Sequence, residues 1–348
     1  KTLMPLTGGG HIDFSSGLET FINAARSNGH GIIASRNSWD GIEKDKGGIV
    51  DLSDYPIESI RALGGSFLGS SRTNPDLQRV AENLKKYRVD VVVAFGGDDT
   101  LGVARELHQN FGVNVVGWPK TMDNDQSGNY ATIGYATAAY IASKQVLEAF
   151  STAHTHSRIV LVPIFGRNYD WVLGAASNYG HADFMIPPEK KGLGLEGVTN
   201  RIIDAYNRNR GRGGNPFAVV AISEGAIELK GLKEYLKKIL PEDKIQYDDF
   251  GHPKLEPEIL ATVLKDAICD ITGTSKENIA IKAETYHLRD SRLIDIDRIF
   301  AQKTAEECIR LIERGEFGRV ATIQDPSVSG NLPDDVSTHI HAHGKTLY

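Results

Sequence analysis

The chain has 348 residues, 40% of them hydrophobic and 24% charged, so it can bury a large core and is long enough for two lobes. A formal net charge of −6 supplies no basic field of the kind that draws nucleic acid or an anionic membrane. No stretch approaches the ~18 consecutive apolar residues of a membrane span, and the opening KTLMPLTGGG lacks a signal-peptide pattern, so a cytoplasmic location is expected.

In chain order, VDVVVAFGG (89–97) reads as a buried strand, by its valines, its length and its glycine stop. DTLGVARELHQNFG follows with Leu101, Ala104 and Leu107 at helical spacing. VNVVGWP (113–119) is a second short apolar run closed by proline, and TAAYIASKQVLEAFSTA (137–153) is a long helix. The alternation resumes with RIVLVPIFG (158–166), NPFAVVAISEG (215–225) and AIKAETYHL (280–288). Strand and helix in alternation predict an α/β protein with mainly parallel sheets in two Rossmann-like units. RNRGRGGNP (208–216) and residues 241–259 read as surface connections. Cys269 and Cys308 fit buried thiols in a reducing compartment. Trp39, Trp118 and Trp171 read as core or interface residues, and His339, His341 and His343, at period two, as a solvated or interface strand.

Open parallel sheets bind ligands beyond the carboxyl ends of their strands. TGGGH (7–11), FGGDDTLG (95–102), PKTMDND (119–125) and IFGR (164–167) fall there. Glycines after a strand let backbone approach a phosphate, and the N–H groups of the following helix add partial positive charge. Asp98 and Asp99 are hostile to a phosphate in such a cradle unless a hard cation such as Mg2+ intervenes. A glycine-rich turn capped by an aspartate accounts for GGDDT equally well, and Asp-Asn-Asp before Gly128 also suits a plain turn. Two acids with a lysine beside a phosphate site nevertheless match phosphoryl transfer to a hydroxyl, which needs a base for the proton and a cation for the moving charge.

Taken in order, GGSFLGSSRTNP (64–75), FGGDDTLG, PKTMDND, TIGYATA (132–138), FGR (165–167), AVVAISEG (218–225), FGHPKL (250–255), YHLR (286–289) and the long segment 295–323 resemble successive blocks of the phosphofructokinase superfamily. The resemblance implies two lobes, with residues 1–134 and 288–348 on the phosphoryl donor and 135–287 on the sugar phosphate. It implies a homodimer or homotetramer whose active sites are shared across subunits. Asp123 resembles the general base for the sugar hydroxyl, Asp125 its assisting acid, Thr121 a hydroxyl near the transferred group and Asp98 the metal-associated aspartate. Gly9, Arg72, Gly97, Asp99 and Thr100 correspond to the donor side. Arg158, Phe165, Gly166, Arg167, Glu224, Tyr286 and Arg289 correspond to the sugar-phosphate side, with Arg158 reaching across a subunit interface.

Within that family, members using ATP usually read GGDG and PGTIDND, and members using pyrophosphate GGDD and PKTIDND. This chain has Asp99 and Lys120. A carboxylate in the space of a nucleotide α-phosphate repels it by roughly 4 kcal/mol at 4 Å and an effective dielectric near 20. Lys120 offers a cation to the small donor and its transition state. Pyrophosphate with Mg2+ is therefore the expected donor and fructose 6-phosphate the expected acceptor. The chain also departs from the family pattern at HIDFSSG (11–17), at NYDW (168–171) and at Asp290–Ser291 after Arg289. These departures keep other acceptors open, among them sedoheptulose 7-phosphate. ATP as donor stays open as well, as does a non-catalytic ligand-sensing subunit, against which the intact acids and Lys120 argue.

Overall fold

The computed structural model describes the chain apart from residues 64, 167–168, 189–193, 210–213, 242–256, 284, 325–341 and 347–348. It divides into two compact units, one formed by residues 1–136 with 289–348 and the other by 137–247 with 252–288. Each is an α/β layer structure.

In the first unit the strands are β1 (Thr2–Thr7), β2 (Gly31–Ser35), β3 (Ile49–Asp51), β4 (Val91–Gly96), β5 (Val115–Thr121) and β6 (Ile133–Gly134). The second holds β7 (Ile159–Ile164), β8 (Phe184–Ile186), β9 (Ala218–Ser223) and β10 (Ile279–Ile281). The chain then returns to the first with β11 (Arg319–Ile323) and β12 (Ala342–Thr346).

The first sheet runs β12-β11-β5-β4-β1-β2-β3, with β6 paired to β5. Its pairings are parallel except at the two edges, β2 with β3 and β11 with β12. The order reverses between β1 and β4: from β1 the chain builds outward through β2 and β3, and from β4 it builds the other way. That pair of strands is the topological switch point of a doubly wound sheet, where the carboxyl ends leave a crevice. The second sheet, β10-β7-β9-β8, is parallel throughout.

The buried strands carry runs of Val, Ile and Leu because helices cover both faces. Under the switch point lies an aromatic cluster of Phe14, Phe21, Phe95 and Trp118, with the Phe95 and Trp118 rings 4.3 Å apart at 79°. Phe95 ends β4 and Trp118 lies near the end of β5, so the cluster fixes where both strand ends emerge. Helix Asp98–Phe111 leaves the end of β4 and stops at Gly112, whose φ of +67° supplies the left-handed terminus. Helix Leu77–Lys86 starts where the Asp76 carboxylate accepts from the Gln78 and Arg79 N–H groups. In the second unit, Ile159, Leu161, Val220 and Ile222 pack with helices Leu195–Asn209 and Pro257–Thr272.

The α/β class with mainly parallel sheets agrees with the sequence reading, and the long helix spans Tyr135–His156. Segment 280–288 does not: its strand covers only Ile279–Ile281, and His287–Asp290 is a single helical turn. Lys282 ends the apolar run of the strand, and Leu288 is buried from the helical turn instead. Residues 210–213 of the basic run and most of the connection 241–259 lie outside the described residues, as do His339 and His341, whereas His343 falls in β12. Neither cysteine is in a disulfide. Among the described residues no helix is long and apolar enough to cross a membrane.

Candidate active site

At the switch point two glycines are dictated by close approach and a third by its backbone angle. A Cβ on Gly8 would stand 2.2 Å from Thr100 Oγ1, and one on Gly96 would stand 2.4 Å from Thr100 Cβ. Gly9 takes a φ of +76°, a left-handed value that side chains resist. The Gly8 N–H donates to the Phe95 carbonyl at 2.8 Å, tying the turn after β1 to the end of β4. Gly97 is the N-cap of helix Asp98–Phe111, so unsatisfied backbone N–H groups and the positive end of the helix face the crevice. Beside it opens a pocket lined by Gly9, Trp39, Ser71, Arg72, Thr73, Asp99 and Thr100. The structure thus gathers four of the five expected donor-side residues, Gly9, Arg72, Asp99 and Thr100, around one cavity, with Gly97 at the adjoining helix start.

The acidic loop leaves β5 in a fixed shape. Asn124 adopts φ +53°, and its side-chain carbonyl accepts from the Thr132 N–H at 2.9 Å. Thr132 in turn donates its hydroxyl to the Thr121 carbonyl at 2.6 Å, and the Asp123 N–H donates to Thr121 Oγ1 at 3.1 Å. Asn tolerates the left-handed region and bonds backbone two ways, so Asn124 holds the flanking Asp123 and Asp125 apart. Burial, then the negative charges of Asp123 and Asp98, push the Asp125 carboxyl up to about 7. Its Oδ1 is buried without a hydrogen-bond partner. Asp98, exposed at the helix start, accepts from the Gln126 amide. Among the described residues no three His, Cys, Asp or Glu side chains converge as a self-contained metal site. The donor set fits a hard divalent ion that completes its shell with phosphate oxygens, since Asp125 Oδ1 lacks a partner and Asp98, Asp123 and Asp125 repel one another.

Lys120 is the most unusual side chain here. It is 2% exposed and donates from Nζ to the Gly10 carbonyl at 2.6 Å. Burial, then the positive charges of Arg289 and Arg72, lower its pKa to about 7. The Arg289 guanidinium packs over Gly10, and its Nε–H points to Met122 Sδ at 3.5 Å. Lys120, Arg72 and Arg289 are therefore neighbours in one unit, and an arginine expected on the sugar phosphate stands with the donor-side cations. The unfamiliar segments 11–17 and 290–291 meet there too: His11 Nε2 lies 3.5 Å from Asp290 Oδ1, and Arg292 Nη1 lies 3.4 Å from Asp13 Oδ2. Asp13 also accepts from the Ser15 N–H and hydroxyl, at 3.1 and 2.7 Å, at the entrance to helix Ser15–Ser27.

The second unit holds the remaining expected residues. Phe165 and Tyr286 meet ring edge to face, centroids 5.5 Å apart at 81°, and Tyr286 is 53% exposed. Gly166 has φ +138°, and its carbonyl accepts from the Ser223 hydroxyl, which also accepts from the Gly225 N–H at 3.1 Å. That arrangement brings the end of β7 against the end of β9 and places half-buried Glu224 directly after it. Arg158 precedes β7, its carbonyl accepting from the Ala218 N–H at 3.1 Å. Arg167 lies outside the described residues.

A glycine turn, a helix start, buried lysine and clustered acids at a switch point suit many phosphate enzymes, and relatives narrow the choice. The family model described as phosphofructokinase matches residues 7–312. The chain belongs to the phosphofructokinase family. A pyrophosphate--fructose 6-phosphate 1-phosphotransferase of Dictyoglomus thermophilum is 31% identical, covering 92% of this chain and 88% of that one. An ATP-dependent 6-phosphofructokinase of Clostridium perfringens is 28% identical, covering 97% and 92%. A pyrophosphate-dependent phosphofructokinase from Marinobacter aquaeolei has the same fold, with a TM-score of 0.75 at 19% identity over 100% of this chain and 83% of that one.

For a phosphofructokinase, three features of this site escaped the sequence reading. Trp39 and Ser71 border the donor pocket; Trp39 carries no motif signal, since a tryptophan after Asn-Ser reads as core, and Ser71 lies in the block 64–75 without standing out from its neighbours. Asn124 and Thr132 shape the acidic loop through backbone bonds that only the folded chain reveals. Trp39 and Trp118 are buried as expected, whereas Trp171 is 53% exposed at the start of helix Trp171–Gly180.

Proposed function

We propose that the chain transfers a phosphoryl group from inorganic pyrophosphate to the C1 hydroxyl of fructose 6-phosphate, reversibly and with Mg2+, as a cytoplasmic glycolytic enzyme. The observation that carries the choice of donor is the presence of Asp99 on the wall of the donor pocket with buried Lys120 reaching the glycine turn at Gly10. A carboxylate on that wall opposes a nucleotide α-phosphate, and a small anion leaves it room. Relatives named for pyrophosphate stand at 28–31% identity and those named for ATP at 26–28%, a gap too narrow to decide donor choice without these residues.

In this reading Asp123 accepts the C1 hydroxyl proton and Thr121 and Asn124 hold it in place. Lys120, Arg72 and Arg289 balance charge on the transferred group, with the glycine-turn N–H groups. Asp98 and Asp125 would hold Mg2+, which when bound neutralises donor phosphate oxygens. Phe165, Gly166, Arg167, Glu224 and Tyr286 take the sugar phosphate, and Arg158 serves a neighbouring subunit in a homodimer or homotetramer. Exposed Tyr286 and the altered NYDW and Asp290–Ser291 segments favour, as a second reading, the same chemistry on a longer sugar such as sedoheptulose 7-phosphate.

Coupled assays with pyrophosphate and ATP against a panel of sugar phosphates test the proposal. Wild type should use pyrophosphate and show little activity with ATP. Asp99→Gly removes up to about 4 kcal/mol of repulsion, so ATP turnover should become detectable. A wild-type kcat/KM that favours ATP overturns the donor assignment.

A further inference from the structure

Three polar groups around the donor pocket have no use inside the folded chain. The Trp39 indole is 2% exposed, lines the pocket, and its Nε1–H is buried with no hydrogen-bond partner. Ser71 Oγ on the same wall, and Ser38 Oγ one residue before Trp39, are likewise buried without partners. Buried indole N–H groups normally find an acceptor, because leaving one unpaired forfeits its hydration. The Trp118 Nε1–H is also unpaired but sits inside the aromatic cluster, whereas that of Trp39 belongs to a ring that lines the pocket.

The backbone goes to some length to present this ring. Asn37 and Ser38 both have positive φ, +57° and +61°, and neither is glycine. Consecutive side chains in that region are strained, and such strain persists where surrounding bonds enforce it. Here the Asn37 N–H donates to the Leu68 carbonyl at 2.8 Å and Ser35 Oγ donates to the Ser38 carbonyl at 2.7 Å. The turn therefore feeds helix Trp39–Glu43 with its first side chain against the pocket.

We infer that Trp39 and Ser71 are donor-recognition residues, whose indole N–H and hydroxyl bind oxygens of the distal phosphate of a small inorganic anion, the pyrophosphate group that is not transferred. The assignment rests on the pyrophosphate reading above. The pocket is a small cleft, partly open to solvent. Its other side-chain groups are Arg72, Thr73 and Thr100, all able to donate, and Asp99, which tolerates an anion when a proton or Mg2+ lies between them. Trp39 would then add to donor recognition by offering a phosphate oxygen one hydrogen-bond donor fixed in place by a rigid, packed ring.

Calorimetric titration of the full chain with inorganic pyrophosphate and Mg2+ tests this, using Trp39→Phe and, separately, Ser71→Ala. Ser71→Ala is nearly isosteric and removes one unpaired donor, so its unfolding temperature should stay level or rise, whereas Trp39→Phe also takes ring volume from a buried position and should lower the unfolding temperature modestly while the chain stays folded. Loss of a charge-assisted hydrogen bond should weaken pyrophosphate binding about tenfold or more in Trp39→Phe, with fructose 6-phosphate binding within twofold of wild type. If wild type binds pyrophosphate and both variants bind it equally well, Trp39 and Ser71 are packing residues and the inference falls while the donor assignment stands. If wild type binds no pyrophosphate, the donor assignment falls and takes the inference with it.

Discussion

The two units use one construction, parallel strands ending in glycine-bearing turns, and equip it oppositely. At the strand ends of the first, the chemical groups are buried and coupled: Lys120 and Asp125 both titrate near 7 because of burial and like-charged neighbours. At the carboxyl ends of the second unit's strands, Tyr286 is more than half exposed and Glu224 is half-buried, while Arg158, also half-buried, stands before β7 at the opposite edge of that sheet. A site that stabilises a moving phosphoryl charge must have its dipoles set before the reaction, which burial achieves. A site that grips a flexible sugar phosphate can leave its side chains to adapt, so substitutions there should change binding and leave the chemical step alone.

The largest expected effect lies in the first unit. Asp123→Asn should lower kcat by about 10²–10⁴ while sugar-phosphate affinity survives; a kcat within threefold of wild type would remove Asp123 from the role of base. Next comes Lys120→Met, for which loss of a cation at the transition state predicts a drop of roughly 100-fold in kcat/KM for pyrophosphate. Because the variant no longer buries an ammonium group, its free form should unfold at the same temperature or higher, and a sharply destabilised variant would mark Lys120 as a structural strut. In the second unit Arg158→Ala should raise the sugar-phosphate KM about tenfold or more with kcat nearly unchanged. An equal fall in kcat would erase the contrast between the units, and a fully active monomer would refute a shared site.

The smallest effect is on stability against pH. Lys120 has a folded pKa of about 7, below its ordinary 10.5. Between those values the unfolded chain holds more protons, so this group makes stability rise as pH climbs above 7. Asp125 has a folded pKa of about 7, above its ordinary 3.8, so the folded chain holds more protons between them and stability falls as pH rises from 4 to 7. The free protein should therefore be least favoured by this cluster near neutral pH. Urea unfolding should show a gain on the order of 1 kcal/mol between pH 7 and 9 after solvent relaxation, flattened in Lys120→Met. A wild-type curve flat over that range would show that Lys120 stays protonated through contacts stronger than its burial.

Much of this was legible in the sequence because it depended on local rules. Apolar runs ending in glycine marked strands β4, β7 and β9 and the side of the sheet on which ligands bind; the run expected to close at a proline is β5, which continues through Pro119 to Thr121, and Lys120, Asp123 and Asp125 stood out as charges near its end. What stayed hidden depended on partners distant in sequence. That Arg289 would stand over Gly10, that Asp13 would meet Arg292, or that Asn124 would lock onto Thr132 follows from tertiary approach alone. Trp39 shows a related limit: its burial was correctly expected, but burial says nothing about whether the one polar atom of the ring is satisfied.

The return of the chain to the first unit bears on how the protein is made. β11 takes its place beside β5 only after the second unit has been passed, pairing Arg319 with Val116 and Val320 with Gly117, and Phe300, Cys308, Leu311 and Ile323 join a core otherwise built from residues 3–133. During synthesis the first unit therefore waits with one side of β5 unpaired and that core uncovered, while the second, nearly continuous in sequence, can close. Contacts so distant along the chain are slow to form, and an open strand edge in the interim invites pairing with another chain. A premature stop after residue 290 would strand Asp98, Asp123, Asp125 and Lys120 on a sheet that cannot finish, so the cluster proposed for the chemistry depends for its existence on the helix and strand near the end.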